Sequence, residues 1–144
     1  MKSWRGIAIT TGGGRGIGAA CAKLFFEKSY KVFLVARNES ELKTVCQLLD
    51  PSGVGAAYTA LDLTMEGAAL LVFERCTKTF GLPNILVNNA GRLHLAGIEQ
   101  DHLKKWRETF ALNLETIFSL TQEAFKRMLS GSSIVNVSSI SVLS

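Results

Sequence analysis

Residues able to hold phosphate come first in this chain: Thr11-Gly12-Gly13-Gly14-Arg15-Gly16-Ile17-Gly18-Ala19 follows the apolar run Ile7-Ala8-Ile9. It leads into Cys21-Ala22-Lys23-Leu24-Phe25-Phe26, where apolar residues recur at helical spacing. A strand, a glycine-dense turn and a helix make an arrangement that binds a pyrophosphate. Glycine lets the backbone turn tightly and approach a ligand, and the N–H groups of the helix that follows face the anion. Gly14-x-Gly16-x-x-Ala19 satisfies the general dinucleotide fingerprint. A plain glycine turn is the competing reading, which the strand before and the helix after weaken.

Further candidates stand just after other apolar runs. Lys31–Ala36 reads as a strand and is followed by Arg37-Asn38. A site for NAD wants a carboxylate near this point for the ribose 2′-hydroxyl, and a site for NADP wants a cation for the 2′-phosphate. Ala36 offers no carboxylate, whereas Arg37, with Arg15 in the glycine turn, offers a forked donor suited to phosphate. The spacing therefore points to NADP, the bland alternative being two solvated arginines. Asp62 ends the next apolar stretch and could equally be a turn residue. Asn88-Asn89-Ala90-Gly91 follows Ile85-Leu86-Val87. Two amides there can tie neighbouring strands, and the small residues leave room for a ribose. Asn113 lies inside an apolar helical stretch, where a buried amide must find partners. Ser138-Ser139 closes the run Ile134-Val135-Asn136-Val137.

The elements that must position these residues alternate. Strands are expected over about Gly6–Thr10, Lys31–Ala36, Val54–Leu63, Ile85–Val87 and Ser133–Ser138. Helices are expected over Ile17–Lys28, from the cap Asn38 with Glu41 reaching back to it, from a cap at Thr64, and as one long run from Leu103 to Leu129. Alternating strand and helix with short connections build a parallel sheet with helices on both faces. The fold class is α/β, a doubly wound parallel sheet of the Rossmann kind with five strands. Ligands in such sheets bind outside the carboxyl ends of the strands, where strand order reverses.

Composition sets outer bounds. The chain has 144 residues, which suits one domain, with 47% hydrophobic and 19% charged residues. A net charge of +4 comes from scattered basic residues, so no nucleic-acid face is indicated. No apolar run is long enough to span a bilayer. Three cysteines, Cys21, Cys46 and Cys76, show neither a pairing pattern nor metal-ligand spacing. A reduced compartment, the cytoplasm or an organelle matrix, is the simplest expectation. No metal is expected.

Thr11-Gly12-x-x-x-Gly16-x-Gly18, Asn88-Asn89-Ala90-Gly91, Asn113 and Ile134–Ser139 occur in the order and setting found in short-chain dehydrogenases/reductases, and the chain resembles that family along nearly its whole length. The resemblance implies an oxidoreductase moving hydride between a nicotinamide and a carbonyl or alcohol, with the carbonyl reductase and 3-oxoacyl-carrier-protein reductase type nearest. It implies that Asp62 accepts from the adenine amino group beside Leu63, and that Thr11, Gly12, Gly14, Arg15, Gly16, Ile17, Gly18, Asn89, Ala90 and Gly91 cradle the cofactor with Arg37 and Asn38. It also implies that Asn113 holds a water in a proton relay, that Ser139 hydrogen-bonds the substrate carbonyl, and that the protein self-associates. The family completes its site with Tyr-x-x-x-Lys. The two tyrosines here, Tyr30 and Tyr58, are followed four residues on by Leu34 and Asp62, so neither begins that motif. The chain is thus expected to be the cofactor-binding portion of a longer fold and to show no turnover by itself. A non-catalytic nucleotide-binding or interaction protein is the alternative.

Overall fold

The computed structural model describes residues 3–94, 98–99 and 102–139. Along the chain run β1 (Gly6–Thr11), α1 (Gly16–Glu27), β2 (Tyr30–Ala36), α2 (Glu39–Leu49), β3 (Ala56–Ala60) and α3 (Ala68–Phe80). They are followed by β4 (Ile85–Asn88), α4 (Leu103–Phe110), a π turn (Ala111–Glu115), α5 (Thr116–Arg127) and β5 (Ser133–Asn136). The strands form one parallel sheet in the order β3-β2-β1-β4-β5. The order runs outward from β1 to β3 and then restarts on the other side of β1 with β4. The reversal therefore falls between β1 and β4.

Alternation along β2 shows how the sheet is covered. Val32 and Leu34 pack into one cluster with Ala22 of α1 and with Leu42 and Cys46 of α2. Phe33 and Val35 point the other way, into a cluster with Val72, Phe73 and Cys76 of α3 and Leu120 and Ala124 of α5. Successive side chains of a strand face opposite sides, so a strand buried on both faces must be apolar throughout. Val32, Phe33, Leu34 and Val35 are that run, and all are buried. The doubly wound parallel sheet read from the sequence is the one observed.

Several boundaries move. β3 is shorter than Val54–Leu63: beyond Ala60 only Leu61 N still donates to β2, to Ala36 O at 2.8 Å, and Leu61, Asp62 and Leu63 line the site. Thr64 does not cap the third helix: its N–H and hydroxyl both donate to Asp62 Oδ1, at 2.9 and 2.7 Å, and Gly67 in a left-handed conformation opens α3 instead. β5 stops at Asn136, two residues before Ser138. The long final helix is interrupted, since the Thr116 N–H donates to Ala111 O, five residues back, and the Thr116 hydroxyl donates to the same oxygen at 3.0 Å. Beyond that turn Phe118 and Phe125 face outward, 67% and 83% exposed, and Trp106 and Phe110 stack on each other on the outer side of α4.

Candidate functional site

At the carboxyl edge of the sheet, on the line between β1 and β4, two segments are laced together. Thr11 ends β1, and its Oγ1 accepts from the backbone N–H groups of Asn89 and Ala90, each at 2.9 Å, while donating to Val87 O at 3.3 Å. Asn89 returns the connection: its Nδ2 donates to Thr11 O at 3.1 Å and to Gly12 O at 3.5 Å. Asn88 works on the other side of β4, its Nδ2 donating to Asn136 Oδ1 of β5 at 2.9 Å and to Thr121 Oγ1 of α5 at 3.5 Å. The two amides do tie strands, Asn89 through backbone carbonyls and Asn88 through side chains.

The glycine turn is shaped by two different needs. Gly12 and Gly16 have φ of +64° and +54°, in the region that a side chain disfavours. Gly18 has no such angle, but a Cβ there would run into the Gly12 carbonyl and the Asn89 side chain. Removing that clash brings α1 hard against the turn. The amides of Gly16, Ile17 and Gly18 open α1 with no earlier helical turn to accept from them, and Gly16 and Ile17 line the cavity at the positive end of the helix dipole. Gly12 and Gly13 donate to Val35 O at 2.7 and 3.3 Å, which fixes the turn to the end of β2.

Around this edge lies a cavity of about 950 Å³. Gly12, Gly14, Arg15, Gly16 and Ile17 form its floor, and Arg37 and Asn38 its wall after β2. Asp62 and Leu63 close it after β3, and Asn89, Ala90 and Gly91 after β4. Thr11 and Gly18 do not line the cavity; they lie beneath it, buried, holding its floor in place. The residues fit an elongated ligand with a pyrophosphate in its middle, because glycine backbone, a helix N-terminus and two arginines line one space at the upper end of the range of cofactor sites.

Asp62 Oδ1 is engaged by Thr64. That hydroxyl and amide first, and the more distant guanidiniums of Arg37 and Arg92 after them, hold its carboxyl below the ordinary aspartate value of 3.8. It is therefore an ionised acceptor at neutral pH. Asn38 caps α2, accepting from Glu41 N at 3.2 Å and Ser40 Oγ at 2.8 Å. The Glu41 carboxylate does not reach back to that cap; it lies over Gly14 and lines the cavity.

Asn113 sits in the π turn, outside the cavity lining, and grips the segment after β4. Its Oδ1 accepts from Arg92 N and its Nδ2 donates to Arg92 O, both at 2.7 Å. One N–H and one lone pair of the amide remain for other partners. Arg92 also pairs with Glu108 of α4 at 3.3 Å, and both side chains form the outer wall of the cavity. Ser139 follows β5 on the same edge of the sheet, exposed and apart from the cavity lining. Glu41, Arg92, Arg107 and Glu108 are the charged wall residues that the sequence reading did not assign to the site. Among the described residues no group of three or more His, Cys, Asp or Glu side chains could hold a metal, and no helix is long and apolar enough to cross a membrane.

Known proteins carry the same frame. The chain is 33% identical over 136 residues to an uncharacterised oxidoreductase of Mycobacterium tuberculosis, covering 92% of this chain and 52% of that protein. It is 33% identical over 136 residues to the 2,5-dichloro-2,5-cyclohexadiene-1,4-diol dehydrogenase LinX of Sphingobium indicum, covering 93% and 54%. The chain spans about half the length of these curated relatives. Among solved structures, a short-chain dehydrogenase/reductase from Serratia marcescens superposes with a TM-score of 0.89 at 28% identity, over 97% of this chain and 58% of that one. A short-chain dehydrogenase/reductase from Brucella melitensis, at 24% identity and a TM-score of 0.92, shares the fold. The short chain dehydrogenase pattern matches residues 6–143, and the chain belongs to that family of oxidoreductases.

Proposed function

We propose that this chain is the cofactor-binding portion of an NADP-dependent short-chain oxidoreductase acting on a carbonyl or alcohol. The observation that carries the choice of NADP is the pair Arg15 and Arg37 on one cavity, with alanine at the last position of β2 where a carboxylate would serve a 2′-hydroxyl. The nicotinamide supplies hydride when bound. This chain's residues do the placing. Thr11 and Asn89 fix the floor, the amides that open α1 take the pyrophosphate, and Asp62 and Leu63 take the adenine. Arg37 and Arg15 take the 2′-phosphate, with Asn38 setting the direction in which Arg37 leaves the backbone. Ser139 holds the substrate oxygen from the far end of the same edge. Asn113 keeps the loop after β4 in register and presents its remaining N–H and lone pair to a water.

The test is a fluorescence titration with NADPH and NADH. NADPH binds more tightly, and Arg37→Ala removes most of the difference. A charge-assisted contact to phosphate contributes about 1.5–3 kcal/mol, or roughly tenfold to a hundredfold in affinity. Equal affinities for the two cofactors would overturn the NADP assignment.

A further inference from the structure

Glu41 is a further charged group on the cavity that Arg15 and Arg37 line. Gly14 shows why it is there. The backbone of Gly14 is not in the left-handed region, so glycine is not required by conformation. What glycine supplies is space, and the space is taken: a Cβ at Gly14 would stand 3.1 Å from Glu41 Cβ and 3.2 Å from Glu41 Oε2. The carboxylate thus lies across the middle of the glycine turn, one residue before Arg15. Its helix opens two residues after Arg37, and its backbone is fixed by the bond from Glu41 N to Asn38 Oδ1. The side chain is half-buried, and among the described residues it forms no ion pair.

A carboxylate without a paired cation accepts readily from a hydroxyl and opposes a phosphate at the same point. The substituent at the ribose 2′ position of a nicotinamide dinucleotide is one or the other. We infer that Glu41 is a third specificity-determining residue, accepting from the 2′-hydroxyl of NAD(H) and weakening the hold of Arg15 and Arg37 on the 2′-phosphate of NADP(H). The site is therefore set between the two cofactors by three charges, and Gly14 is the residue that admits the negative one. This rests on the reading of the cavity as a dinucleotide site with its 2′ end at Arg37.

The experiment measures dissociation constants for NADPH and NADH with the wild-type chain, Glu41→Gln, Glu41→Ala and Arg37→Ala. Removing the carboxylate tightens NADPH and weakens NADH, so the ratio of the two affinities rises by about tenfold. Glu41→Ala must move the ratio in the same direction and serves if the Gln variant folds poorly. A ratio unchanged in the Glu41 variants, or moved toward NADH, overturns the inference. If Arg37→Ala abolishes the preference while the Glu41 variants leave it alone, the NADP reading stands and Glu41 has no such role. If the Glu41 variants raise the ratio while Arg37→Ala does nothing, Glu41 stands and the assignment to Arg37 falls. Binding of neither cofactor by the folded wild-type chain overturns both.

Discussion

Thr11 and Asn89 hold each other twice, through the Asn89 N–H on Thr11 Oγ1 at 2.9 Å and the Asn89 Nδ2 on Thr11 O at 3.1 Å. The pair spans the one seam in the sheet where strand order reverses, so it joins the two halves of the site. A hydroxyl that also accepts from Ala90 N cannot be replaced by a methyl without stranding two amides. Thr11→Val keeps the shape and should cost about 2–4 kcal/mol, since a stranded donor costs about 1–3 kcal/mol. Thr11→Ser should recover most of it. Denaturant unfolding of the three forms gives the comparison, and a Val variant as stable as wild type would contradict the account.

Asn113 binds both polar groups of the Arg92 backbone, from 21 residues away. Each bond is on an exposed face and contributes about 0.5–1.5 kcal/mol. Asn113→Ala should therefore lose about 1–2 kcal/mol and release the segment after β4. Hydrogen exchange separates this local effect from a global one: the Arg92 amide should exchange faster while the amides of β1 and β2 stay protected.

Asp62 gives the fold an acid-sensitive contact. Its pKa in the fold lies below 3.8, so it binds protons less readily folded than unfolded. The stabilisation is fully present above the unfolded value and is lost as pH falls through the lower folded one. Asp62→Asn should be less stable than wild type at neutral pH. The difference should shrink toward zero in melts below the carboxylate range. A difference that persists unchanged into acid would show that the Thr64 contacts do not depend on charge.

Trp106, Phe110, Phe118 and Phe125 make the outer side of α4 and α5 strongly apolar, and among the described residues β5 ends the sheet with one side unpaired. Exposed apolar patches and free strand edges favour association. The 144-residue chain should run as an oligomer in size-exclusion with light scattering, and Phe118→Asp should shift it toward monomer. Trp106 emission should move to longer wavelength in the same variant.

How much of this could be read from the sequence differed by element. The glycine turn and Asn88–Gly91 were legible because their chemistry is local: a glycine is needed where a backbone turns, and the strand before it sets the place. The sheet was legible for a related reason, since β2 is apolar at every position from Val32 to Ala36 and only a strand covered on both faces tolerates that. Glu41 was misread as the closing half of a helix cap because the sequence shows its distance from Asn38 and not its distance from Gly14, which tertiary packing sets. Thr64 was taken for a cap for the same reason; Asp62 captured both its donors first. The partner of Asn113 was out of reach, because a backbone in another loop leaves no mark on residue type. The interruption of the last helix was hidden by Phe110, Leu114, Ile117 and Phe118, whose apolar side chains satisfy more than one helical phase.

That interruption acts on everything after it as a change of angle. A residue added to or taken from a helix turns its remainder by about 100° and moves it about 1.5 Å along the axis. With the π turn in place, Thr116, Leu120 and Ala124 fall on the inner side. Closing the turn to a regular helix with every residue kept would bring Glu115, Ser119 and Glu123 to those places, setting a carboxylate where a methyl now packs and a hydroxyl where Leu120 fills the core. It would also put Leu120 where Thr121 now meets the Asn88 side chain. The wide turn is thus a phase setting for α5, and through Asn88 for the β4–β5 edge that carries Ser139. Deleting Leu114, on the outer side, should leave α5 in phase and the chain folded, while inserting a residue between Thr116 and Ile117 should turn α5 by about 100° and unfold or aggregate the chain.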